Sequence, residues 1–188
     1  MQYIILDLEW NQPLSKQQMV RTPFKLRGEI IQIGAVKVDE NMQTIDTFNI
    51  MIKPKHYCTM HKKIQELTDI TDAHLESGVQ FEDAICKFRA WCGDEFEFLT
   101  WGPEDIYILE DNLEFFELDS AWVPAAYDAQ VIFDDQVTME NRDYSLSYAM
   151  YKFGIKPLKC HDALNDAINT VKVLMNLNFR ESFDVAVY

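Results

Sequence analysis

MQYIILDLEW, residues 1–10, is the stretch that decides how this chain folds. From Tyr3 to Leu8 it is almost unbrokenly apolar, the pattern of a central strand covered on both faces. Successive strand side chains alternate between faces, so Asp7 and Glu9 share one face at the end of the run. Two carboxylates placed where a buried strand runs out mark a spot where a site can open. A D-x-E pair at a strand end is also common as plain solvated surface, so it needs partners before it means chemistry.

The rest of the chain supplies the setting. Residues 11–28 are polar and irregular, with Pro13, Pro23 and Gly28 marking a long loop. Residues 30–38 and 44–52 predict two further strands joined by a short turn around Glu40 and Asn41. Residues 59–76 suggest short helical pieces. Apolar residues at 81, 84, 85, 88 and 91 have helix spacing. Phe96 to Trp101 reads as a strand that delivers Asp105 just beyond its end. A helix over 104–116, an extended segment over 122–127 and a helix over 145–152 follow. A loop with Gly154 and Pro157 then leads into a last helix over about 162–180. Strands first, then helices alternating with strands, predict an α/β fold with a mixed central sheet flanked by helices. No repeat, low-complexity tract or linker interrupts it. The expectation is one domain over residues 1–180 and a short C-terminal tail or packing segment over 181–188.

Composition agrees with one ordinary globular domain: 188 residues, 48% hydrophobic and 13% aromatic. No apolar run is long enough to span a bilayer. The N-terminus has neither the basic region nor the cleavage site of a signal peptide. The four cysteines, at 58, 86, 92 and 160, are scattered and read as reduced thiols of a cytoplasmic protein. His56, Cys58 and His61 lack the paired spacing and fourth ligand of a zinc site. The net charge of −14 is unusual for a nucleic-acid enzyme. It comes from one stretch: no Lys or Arg occurs from Ala90 to Asn141, which holds 14 acids, and the remainder carries 17 charges of each sign. One strongly acidic face follows, either solvated or docking a basic partner. With no broad basic track, tight nonspecific binding to a long nucleic-acid duplex is not expected.

The partners that the acidic pair needs lie downstream. Asp105 sits in WGPED (101–105), and His161 and Asp166 in HDALND (161–166). Four carboxylates and an imidazole are the parts for phosphodiester hydrolysis by two divalent ions about 3.5–4 Å apart. Oxygen ligands suit Mg²⁺ or Mn²⁺ rather than Zn²⁺. His161 is the candidate general base, since imidazole exchanges protons near neutrality. On one continuous helix a five-residue step would leave His161 and Asp166 about 140° apart. They converge more easily if His161 lies on the loop before the helix, with Asp162 as N-cap.

Asp-x-Glu, then Asp, then His-x4-Asp, in this order, resembles the DEDDh family of 3′→5′ exonucleases, the group of ribonuclease T and the polymerase proofreading exonucleases. WGPED resembles the WGxxD pattern of the Eri-1-like, KapD-type branch, which selects Asp105 over Glu104. GEIIQIGAVKVDE (28–40), ELTDIT (66–71) and SLSYAMYKFGI with HDALNDAINTVKVL resemble further segments of that family, and the likeness covers roughly residues 1–180. Trp10 departs from the small or hydroxyl residue of many relatives. The resemblance implies a ribonuclease H-like exonuclease fold and a metal-dependent 3′→5′ exonuclease of single-stranded RNA or DNA, RNA favoured, releasing nucleoside 5′-monophosphates. It implies that Asp7 bridges both metals, that Glu9 and Asp166 complete one, and that Asp105 stands near the other.

Substrate contacts are a separate expectation. Leu8 and Trp10 flank the acidic pair and are candidates to wedge or stack the terminal base, though Trp10 reads equally well as core. Lys16, Arg21, Lys25 and Arg27 are candidate phosphate contacts, with a solubilising surface as the plain reading. Lys152, Lys156 and Lys159 form a weaker second group. Competing functions are oligoribonuclease-like trimming of very short RNAs, a non-catalytic single-strand-binding module on the same fold, and a polymerase proofreading subunit.

Overall fold

The computed structural model describes residues 1–187. Its centre is β1 (Gln2–Asn11), which pairs antiparallel with β2 (Glu29–Val38) on one side and parallel with β4 (Phe96–Thr100) on the other. β3 (Thr44–Met51) completes a hairpin on β2, and β5 (Ala126–Asp128) lies beside β4. The five-stranded mixed sheet has the order β3-β2-β1-β4-β5.

Both faces of β1 are covered, which explains its apolar run. Ile4, Leu6 and Leu8 point into a cluster with Phe81, Phe88, Ile106 and Leu109. These come from α3 (Phe81–Cys92) and α4 (Glu104–Phe115). Tyr3 and Ile5 point the other way, against Ile132 of α5 (Ala129–Phe133) and Ala167, Val171 and Leu174 of α7 (Ala163–Leu174). Each fully buried Ile or Phe contributes about 1.5–3 kcal/mol relative to exposure. The result is three layers, helix–sheet–helix, with β1 deepest.

The remaining helices adjust the expected boundaries. The 59–76 stretch forms α1 (Lys62–Thr68) and α2 (Asp72–Glu76), separated because Asp69 turns left-handed (φ 60°) and Thr71 caps α2 in a reciprocal box with His74. α6 (Leu146–Lys152) starts on the Ser145 cap. A helical stretch not expected from the sequence follows β5: α5 runs into a π-helical turn over Asp134–Thr138. The last long helix ends at Leu174, not near 180. The chain then folds back, and Phe179 meets Tyr3 edge-on while Phe183 stacks on Tyr127 at 3.8 Å. A short 3₁₀ turn (Phe179–Ser182) and α8 (Phe183–Ala186) make this packed end. Tyr188, within the expected tail, lies outside the described residues. Among the described residues no helix is long and apolar enough to cross a membrane.

Two features aim this scaffold at one place. β4 stops pairing with β1 at Ile5↔Leu99, leaving the β1 edge near Leu8 open. α7 crosses β2 with its first turn against Gly34, where a Cβ would stand 2.1 Å from the backbone of Ala163 and Leu164.

Candidate active site

The carboxylates gather at the C-terminal end of β1 from three elements. Asp7 and Glu9 extend from β1 on the α7 face. Asp105, in the first turn of α4, is 7% exposed and fills the open β1 edge, where its Oδ1 accepts the Leu8 N–H at 2.8 Å. Asp166 is in the first turn of α7. Its Oδ2 accepts the His161 N–H at 2.7 Å. Among the described residues, Glu9, His161 and Asp166 are the one group of His, Cys, Asp and Glu whose potential ligand atoms all lie within 4.8 Å of one another.

His161 is exposed and stands on the loop just before α7, with the positive φ of 59° rare for a residue with a side chain. Asp162 is the N-cap of α7, accepting the Asn165 N–H at 3.0 Å. The loop placement brings His161 and Asp166 together without demanding that they share a helix face.

The electrostatics are those of crowded, unneutralised acids. Burial, and then Asp105, Glu9 and Asp166, hold the Asp7 carboxyl well above its usual range. Burial followed by Asp166 and Asp105 pushes Glu9 up to about 8. Burial raises Asp105 to about 7, against the opposing pull of the Leu8 N–H. Asp166 is raised by burial, opposed by its hydrogen bonds from His161 and Asn169. The charges that press on Asp7 and Glu9 are all carboxylates. Such a cluster is costly alone and is relieved by cations. Its all-oxygen donors fit hard divalent ions such as Mg²⁺ or Mn²⁺.

WGPED is rigid for identifiable reasons. Gly102 takes φ 86°, and its N–H donates to Asp128 at 3.0 Å. The Trp101 indole packs on Phe133 and donates to the Tyr144 carbonyl. Trp101 and Gly102 therefore build the turn that presents Asp105. Sequence reading missed Asp128, and also Gln32, whose amide accepts the Ala163 N–H and donates to Asn49. The signal for Gln32 was its position inside the apolar run of β2.

The expected substrate contacts fare less evenly. Leu8 is 3% exposed and points into the core opposite Asp7 and Glu9. Trp10 is half-buried against the same core and lies over Gly28, where a Cβ would stand 2.3 Å from the indole. Packing, not an open stacking platform, accounts for it. Lys16, Arg21 and Lys25 are exposed on the 12–28 loop, whereas Arg27 turns to α4 and pairs with Asp111 at 2.8 Å. Lys159 pairs with Asp69 at 2.6 Å, and Lys152 lies over the Tyr148 ring. The four cysteines are free.

A family model for exonucleases, RNase T, matches residues 4–174, from β1 through α7. A probable 3′-5′ exonuclease KapD of Bacillus subtilis is 28% identical over 113 residues, 60% of this chain and 53% of that protein. A PolC-type DNA polymerase III of Thermotoga maritima is 28% identical over 155 residues, 78% of this chain and 10% of the polymerase. The matches thus span about half of the first relative and a small part of the second. Among solved structures, the nuclease domain of 3′hExo, a DEDDh family member bound to rAMP, superposes with a TM-score of 0.83 at 16% identity, over 100% of this chain and 96% of that one. That likeness confirms the ribonuclease H-like arrangement of sheet and helices. With the matched segment containing β1, the WGPED turn and α7 together, the chain belongs to the RNase T family of exonucleases.

Proposed function

We propose that this protein is a 3′→5′ exonuclease that removes nucleoside 5′-monophosphates from single-stranded nucleic acid, RNA favoured. The observation that carries the reading is the convergence of Asp7, Glu9, Asp105 and Asp166, with the exposed His161 beside Glu9 and Asp166; among the described residues the charges pressing on Asp7 and Glu9 are all carboxylates. Asp7, Glu9 and Asp166 would hold the divalent ions, with Asp105 close by. When bound, such ions supply positive charge to the scissile phosphate and make a coordinated water more acidic.

The chain's own residues do the rest. Asp166 orients the His161 loop through the main-chain N–H, leaving the imidazole free to receive a proton from water. Asp105 is anchored beside the end of β1 by the Leu8 N–H. Membership of the RNase T family supports hydrolysis from a strand end, and the rAMP held by 3′hExo supports a ribonucleotide substrate. The acidic balance of the chain favours the related reading of trimming very short RNAs. The unpaired thiols support a reducing compartment, the cytoplasm.

The test is a time course on 5′-labelled single-stranded RNA with Mn²⁺, beside Asp166→Ala. A ladder shortening from the 3′ end in wild type alone is expected. Inertness toward both RNA and DNA would leave a binding module on this fold. Faster cutting of di- and trinucleotides than of long strands would establish the trimming variant.

A further inference from the structure

Asn169 is 0% exposed in the middle of α7. Asparagine is a poorer helix former than leucine or alanine, and a buried amide is costly unless it is hydrogen-bonded. Here both ends are used. Oδ1 accepts the Leu158 N–H at 3.0 Å, and Nδ2 donates to Asp166 Oδ1 at 3.3 Å. The second Asp166 oxygen takes the His161 N–H. Leu158 and His161, three residues apart, are thereby tied to one face of α7 through a single chain of bonds. The tied segment ends in the left-handed His161, a conformation that persists only where surroundings fix it.

We propose that Asn169 is a positioning residue, which fixes both the orientation of Asp166 and the place of the loop that presents His161. The proposal rests on the exonuclease reading above. An asparagine serving only to fill the helix would not need both bonds. One arm reaches the acidic cluster and the other reaches the segment bearing the histidine, so a shift at either end is felt at the other.

Asn169→Ala and Asn169→Asp separate the arms. Three measurements apply: amide exchange in the metal-free protein, Mn²⁺ binding without substrate, and kcat and KM taken separately on a short RNA. Asn169→Ala is expected to free the Leu158 and His161 amides while those of β1 and β2 stay protected. It should lower kcat or Mn²⁺ affinity roughly 10–100-fold, the usual effect of losing a group that orients a ligand, with KM near wild type. Asn169→Asp keeps the acceptor for Leu158 but sets a second carboxylate against Asp166. Leu158 should stay protected while kcat still falls. Wild-type kcat and Mn²⁺ affinity in Asn169→Ala would overturn the proposal, as would a loss of protection spread across the whole sheet. If wild type cuts neither RNA nor DNA, the exonuclease reading fails, and Mn²⁺ affinity with the two amides still judges Asn169.

Discussion

Gly34 lies directly opposite Asp7 in the antiparallel ladder, and the first turn of α7 rests on it. The consequence is geometric. A bare backbone at Gly34 lets α7 descend onto the sheet beside Asp7, which brings Asp166 to the same point. A methyl group there would stand 2.1 Å from the main chain of Ala163 and Leu164, and backbone cannot swing aside as a side chain can.

Gly34→Ala should therefore cost at least the top of the usual overpacking range of about 1–3 kcal/mol. Hydrolysis should fall along with stability, because Asp166 and His161 move with the helix. Urea unfolding monitored by tryptophan fluorescence measures the first and a nuclease assay the second. A variant of wild-type stability would mean that α7 sits higher over the sheet than described.

Removing one carboxylate from the cluster should separate activity from stability. Asp7→Asn and Asp166→Asn take away a metal-holding charge and also a source of mutual repulsion. Loss of hydrolysis is expected in both, with equal or higher thermal stability in chelator for Asp7→Asn, whereas Asp166→Asn also gives up one of the two hydrogen bonds from His161 and Asn169. Near-normal turnover in either variant would remove it from the metal site.

The raised acids fix a pH dependence. Glu9 lies near 8 and Asp105 near 7, against ordinary values of 4.5 and 3.8. Between those limits the native state binds more protons than the unfolded chain, so stability falls as pH rises. Their contribution is complete below the ordinary carboxylate range and is lost as pH rises through about 7 and about 8. Urea midpoints in chelator should decline across that window, and Glu9→Gln should flatten the decline. Mn²⁺ prefers the deprotonated site, so its stabilising effect should grow over the same range. A midpoint insensitive to pH through this window would show the carboxylates are solvated.

What the sequence disclosed follows from where its constraints are local. β1 is covered on both faces, so burial writes itself as an apolar run, and the alternation of side chains put Asp7 and Glu9 together. The same alternation sends Leu8 to the opposite face, so its core position was legible beside the acidic pair. Trp10 was not, because its partner, Gly28, is across a loop. α5 and the π-helical turn escaped notice for a related reason. Their short sequence has little periodicity, and they are set by the Asp128 cap and by Phe133 buried among Ala149, Met150 and Val173. Asn169 and Gln32 interrupt apolar patterns, but only the fold reveals what they hold.

His161 offers the most direct test of the proton pathway. Its loop is held by Asp166 through the backbone, so His161→Ala deletes the imidazole while the N–H that Asp166 accepts remains. His161 itself already pays for φ 59°, a conformation costing about 1–3 kcal/mol for most residues, so alanine there carries similar strain and stability should change little. Activity should fall by roughly 10²–10⁴-fold, the range for loss of a general base, with KM little changed. His161→Gly removes the strain that histidine and alanine share and still lacks the imidazole, so it should hold or raise stability without restoring rate. If His161→Gly turned over at wild-type speed, the proton would leave by another route, and His161 would serve only as a loop residue.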